Sequence, residues 1–165
     1  MIELNSKTQQ DFLNREWVQR LLDAGVDMSD AKYCIVNWGL GDGTDFIKLK
    51  SSVEYLLKTE STNPTNLRNI VPTYTVSELL YKLHEWIYPI IDGKEYSGGL
   101  RMLKDAPFYI FYYQLHAKDD DRNHLEDYIY AEFEYPIESL ASLLIQCHTK
   151  DIGLKMKDTG NISDK

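Results

Sequence analysis

Two runs, PFYIFYYQLH at 107–116 and DYIYAEFEY at 127–135, alternate side-chain character so regularly that each is expected to be a strand with two unlike faces. Successive strand side chains point to opposite sides, so residue parity decides what is buried. Paired antiparallel around AKDDDRNHLED, the runs set Leu115 opposite Ile129, Tyr113 opposite Ala131, Phe111 opposite Phe133 and Tyr109 opposite Tyr135. The other face then sets His116 against Tyr128, Gln114 against Tyr130, Tyr112 against Glu132 and Ile110 against Glu134. The first set suits a core and the second is aromatic and polar. A slip of one residue would mix the faces; a slip of two would keep them, so the pattern fixes parity but not register.

The rest of the chain supplies helices and further strands. Thr8-x-x-Asp11 followed by Leu13, Trp17, Leu21 and Ala24, with Gly25 beyond, predicts an amphipathic helix over 8–24. YCIVNW, GLGDG and TDFIKLK predict a β-hairpin over 33–50. The polar stretch KTESTNPTNLRN, 58–69, predicts a surface loop. Thr75 and Glu78 make a capping-box pair ahead of Val76, Leu79, Leu80, Leu83 and Ile87, predicting a second helix over 76–87 that Pro89 forbids from continuing. IIDGKEY carries an Asp-Gly turn signal, and Gly98 and Gly99 read as punctuation before the aromatic runs. Pro136 with Ile137, Leu140, Ala141, Leu144 and Cys147 predicts a third helix, ended by Asp151-Ile152-Gly153.

This order lacks the strand-helix alternation of a parallel doubly wound sheet. The expected fold is α+β: an antiparallel β-sheet with about three helices packed on one face. No second core-forming block interrupts 1–154, which is expected to be a single domain, with 155–165 (KMKDTGNISDK) as a flexible C-terminal tail.

Composition narrows the function classes. Twenty-six acidic against 18 basic residues give a net charge of −8, which disfavours direct nucleic-acid binding and anionic membranes. MIELNSKTQQDF has no basic patch leading an apolar run, and no apolar stretch approaches the roughly 20 residues that span a bilayer, so a cytoplasmic protein is expected. Cys34 and Cys147 sit among apolar neighbours and read as free, buried and slow to react, in keeping with a reducing compartment.

Each candidate for chemistry has a plainer explanation. Gly39, Gly41 and Gly43 precede a strand-like segment, whereas phosphate-binding loops need a helix N-terminus there. Asp119, Asp120, Asp121, Asn123 and His124 lack the spacing of a calcium loop and its closing Glu, so no metal and no cofactor is expected. Cys147 and His148 are helix neighbours pointing about 100° apart and cannot pair. His84 and His116 have no partner visible in the sequence. Tyr112, Gln114, His116, Tyr128, Tyr130 and Glu132 differ in kind, because rigid amphipathic aromatics gathered on one sheet face are what recognition surfaces use. Either that face binds a partner or a second copy, or a helix or loop covers it.

At LLDAGVDMSDAKYCIV, VPTYTVSELLYKLHEW and YPIESLASLLIQCHTKDIG the chain resembles small proteins of gut Bacteroidetes and their phages and mobile elements, which share an L-x-x-G-x-D-x-S-D-A opening and a P-x-[YF]-T-x-x-[ED]-L-L helix start. The likeness spans Leu21 to Gly153 and lies in these local signatures. It implies a bacterial, phage-related origin and no particular activity, ligand or catalytic residue.

The first expectation is therefore a non-enzymatic accessory or protein-interaction domain. The alternatives are a small hydrolase or transferase whose site assembles across the sheet, for example from His116 and Glu132, and an acidic nucleic-acid mimic.

Overall fold

The computed structural model describes residues 2–5, 8, 10–38, 43–59, 67–125, 128–150 and 152. Asn14, not Thr8, caps α1 (Arg15–Asp23), its side chain accepting from Trp17 N at 3.0 Å. The helix starts later than its apolar spacing predicts because the preceding backbone is engaged elsewhere. Thr8 Oγ1 donates to Glu3 O, Phe12 bridges Thr75, and Leu13 N donates to Tyr74 O. Gly25, at φ +83°, ends the helix as expected.

The first sheet has strand order β1-β3-β2-β4, all antiparallel, from β1 (Ile2–Glu3), β2 (Tyr33–Trp38), β3 (Asp45–Leu49) and β4 (Leu67–Thr73). The hairpin of β2 and β3 is the one its sequence predicts. Between β3 and β4 lies an unexpected helix, α2 (Lys50–Lys58), which begins where β3 ends and has no side-chain cap to announce it. The expected loop is correspondingly shorter. Lys58 closes α2, Leu67–Asn69 open β4, and 60–66 lie outside the described residues.

The capping box of α3 (Val76–Lys82) is present in both directions: Glu78 N donates to Thr75 Oγ1, and Thr75 N donates to Glu78 Oε2 at 2.9 Å. The helix stops five residues before its predicted end, because Trp86 and Ile87 form β5 (Trp86–Ile87) against Gly99 and Gly98. A Cβ at Gly98 would lie 2.6 Å from Gln114 O, so the glycines read as punctuation are mid-strand residues that permit close approach. β6 (Ile90–Ile91) turns at Asp92 (φ +50°) and Gly93 (φ +76°) into β7 (Lys94–Asp105).

The second sheet has order β10-β8-β7-β5, from β8 (Phe108–Ala117) and β10 (Tyr130–Phe133), with β6 also on β7 and β9 (Asp120–Leu125) also on β8. β9 occupies what reads as a loop and takes the place beside Leu115–Ala117. β10 is therefore displaced: Tyr130 lies opposite Tyr112, not Gln114, a slip of two that preserves the faces. α4 (Pro136–Thr149) starts at the predicted proline. Asp151, Gly153 and the expected tail, 155–165, lie outside the described residues.

Among the described residues there are thus four helices and two antiparallel sheets, a mixed α+β fold but not one sheet with helices on one face. α4 packs on β8, β10, α1 and α3, burying Phe111, Tyr113, Leu115, Ile129 and Ala131 in the main core. α2 instead packs on β2 and β3, where Cys34, Val36, Val53 and Leu67 form a separate small core. Thr75→Ala, which removes the α3 cap, is expected to lower stability by about 1 kcal/mol in a urea titration with the fold unchanged. A neutral result would mean that the cap contributes nothing.

Candidate functional site

Parity along β8 sorts its residues as the sequence predicts. Tyr113 is fully buried and donates its hydroxyl to His84 O at 2.6 Å, while Ser139 of α4 donates to Tyr109 O at 2.7 Å on the same side. On the opposite side Tyr112, Gln114 and His116 are half-buried, and none of the described helices packs over them. Ile110, although buried, belongs to neither core.

The six predicted residues are not equally close. Tyr112 and Tyr130 stand directly opposite, and the Tyr130 hydroxyl donates to Glu132 Oε2. Gln114 follows beside Gly99. His116 faces His124 of β9, ring centroids 6.1 Å apart, in place of the predicted Tyr128. Tyr128 lies just before β10 at the α4 margin, where the Lys150 ammonium sits 4.1 Å from its ring centroid and donates to its carbonyl. Glu132 lies beside Ile110, six residues along β8 from His116, or about 20 Å at strand rise. A hydrolase site built from His116 and Glu132 is ruled out by that separation.

The structure adds residues that the aromatic runs alone do not reveal. The indole of Trp86, 52% exposed, lies over Gly99, where an added Cβ would meet the ring at 3.5 Å. Leu103 and Phe108 extend the surface towards the hairpin tip, and Arg101 stands beside Tyr112. The signal that could have found Trp86 is Gly98-Gly99 itself, since adjacent glycines inside a long β run mark a seat for a large neighbour. The result is a broad sheet face of Trp86, Leu103, Phe108, Tyr112 and Tyr130 whose centre carries one cation, Arg101, and one anion, Glu132.

No family model, curated protein or solved structure matches this chain.

Other concave regions serve the fold. A cavity of about 680 Å³ runs along Tyr33, Tyr74, Tyr81 and Lys82, but Asp30 and Glu78 within it are engaged by Tyr74, Lys82, Thr75 and Lys32 N. Another, of about 460 Å³, holds a network in which Arg15 Nε and Asn37 Nδ2 both donate to Asp45 Oδ1 and Asn69 donates to Asn37. That network pins the break in register between Ile35 and Asn37. Among the described residues no three His, Cys, Asp or Glu side chains gather as a metal would need; the side chains of Asp120, Asp121 and Asn123 lie outside them. Gly39 and Gly41 also lie outside, and Gly43 leads into β3, not a helix.

Both cysteines are free and buried. Burial pushes the Cys147 thiol up to about 12. Burial also raises that of Cys34, partly offset by Lys50, and Cys34 lines an apolar cavity of about 390 Å³ beside Val53 and Leu57. Both are expected to label slowly under native conditions, Cys34 before Cys147, when followed by mass spectrometry. Faster labelling of Cys147 would contradict its placement in the core.

Proposed function

We propose that the protein is a non-enzymatic interaction domain, a bacterial or phage-borne accessory protein, whose binding surface is the open face of the second sheet. The observation that supports this most is that α4 lies on one side of β8 and β10 while none of the described helices lies over Tyr112, Tyr130, Trp86 and Leu103 on the other side. A contiguous aromatic and aliphatic patch of this kind marks an interaction site, because scattered single residues would carry far less solubility cost. The chemistry of the patch indicates the partner. Its centre is close to neutral in a chain of net charge −8, so the occupant is a folded protein surface with aliphatic and aromatic side chains and few charges. No membrane association is included in this reading, and no described helix is long and apolar enough to cross a membrane. Direct nucleic-acid binding is excluded from it on charge, and an acidic mimic would need a stripe of carboxylates where this face has aromatics.

Tyr130→Ala separates a binding role from a packing role. Stability is expected to fall by no more than about 1 kcal/mol, because the side chain lies at a half-exposed surface. A photo-reactive phenylalanine analogue at Tyr112 is expected to cross-link one discrete partner in the native host, and Tyr130→Ala to abolish that adduct. A loss of several kcal/mol, or the same adducts from a probe at exposed Tyr81, would contradict the reading.

A further inference from the structure

β7 is longer than the strands that pair with its outer side. β6 covers Lys94 and Glu95, β5 covers Gly98 and Gly99, and Leu100 N donates to Glu85 O at 2.8 Å. From Arg101 to Asp105 the strand is paired, among the described residues, with β8 alone. Tyr96 N and Leu100 N both point away from β8, to Pro89 O and Glu85 O, so the N–H and C=O groups of Met102 and Lys104 do too. None of these groups has a backbone partner among the described residues.

Open edges are normally blunted. The β10 edge is: the Gln146 side chain donates to Tyr130 O at 2.6 Å and accepts from Tyr130 N at 3.2 Å. The β7 edge instead carries one exposed apolar side chain on each face, Met102 (62%) and Leu103 (54%), between Arg101 and the Lys104-Asp105 pair. Its one lysine does not guard it, because the Lys104 ammonium is folded back over the Tyr109 ring, 5.1 Å from the centroid.

We propose that a second copy of this chain pairs antiparallel with this edge, the twofold axis passing beside Leu103, to join the two larger sheets into one. The five residues Arg-Met-Leu-Lys-Asp are self-complementary in that register. Leu103 meets Leu103 of the second copy, Met102 meets Lys104, and Arg101 meets Asp105 twice. Met102 and Lys104, whose backbone groups point outward, become the hydrogen-bonded pairs, so side-chain match and backbone match coincide. Moving the axis to Lys104 would oppose two lysines, and moving it to Met102 would set Arg101 against Leu103. Neither Arg101 nor Asp105 has an ion-pair partner within its own chain among the described residues, so both are free for this role.

Charge and area set the strength. The net −8 of each copy opposes association, but over a screening length of about 8 Å the local Arg101–Asp105 pairs dominate. A ribbon of five residues is smaller than a permanent interface, which places the dimer in the roughly micromolar to millimolar range. The pairing takes Arg101 and Leu103 from the open face and leaves Trp86, Tyr112 and Tyr130 free; it would present two such faces side by side to one partner.

The test is sedimentation velocity on the full chain from about 10 µM to about 1 mM, the range that brackets such an equilibrium. A concentration-dependent dimer is expected. Arg101→Asp and Asp105→Arg are each expected to weaken it on the order of tenfold, by setting like charges opposite each other, and the two together to restore it. Met102→Pro, which removes an outward N–H while sparing the bonds to β8, is expected to abolish it. Tyr130→Ala is expected to leave it intact, which keeps this proposal separate from the binding face. A monomer throughout, or a dimer indifferent to the charge exchange, overturns it.

Discussion

The buried hydroxyl of Tyr74 joins the segment before β2 to the start of α3. It donates to Asp30 Oδ1 at 2.6 Å and approaches Asp27 O at 3.0 Å, and Lys82 completes the cluster through Asp30 Oδ2 at 2.9 Å. Burial pushes the phenol far up, so it stays a donor. Its neighbours bind the other direction: Thr73 Oγ1 donates to Leu13 O at 2.8 Å, and Leu13 N to Tyr74 O. Three consecutive residues thus tie the start of α1, the connection to β2, the end of β4 and the cap of α3. α4 packs against both α1 and α3, and β8 and β10 pack against α4. The open face is therefore held outward by a chain of contacts that begins at Tyr74.

Features governed by local chemistry were legible in the sequence. The capping box at Thr75, Pro136 at the start of α4, and the Asp92-Gly93 turn each need only a few adjacent residues, and each stands where its pattern says. Parity along β8 was equally readable, because the alternation from Tyr109 to His116 leaves one sensible division between core and surface. The two signatures at Asp27–Asp30 and Tyr74–Glu78 look like separate punctuation in the chain, yet Tyr74 joins them.

What escaped was set by tertiary partners. β9 is polar because its pairing with β8 is made by backbone, so its sequence reads as a hairpin tip, and that insertion moved the β10 register by two. β4 contains Pro72, a residue that argues against a strand, but it runs along the edge of its sheet, where a missing donor is tolerated. α2 follows β3 without a glycine or proline between them. Of the site, Tyr112, Tyr130 and Glu132 were legible as neighbours; Trp86 was hidden in what reads as the end of a helix.

Apart from the buried Ile110, the even-numbered side chains of β8 and β10 face water, while the odd-numbered ones turn towards α4. Solvent paramagnetic relaxation by a soluble gadolinium chelate, read on assigned tyrosine ring protons of the full chain, measures this directly. Strong enhancement is expected at Tyr112 and Tyr130 and little at Tyr113 and Tyr74. Tyr112 and Tyr130 as protected as Tyr113 would contradict it.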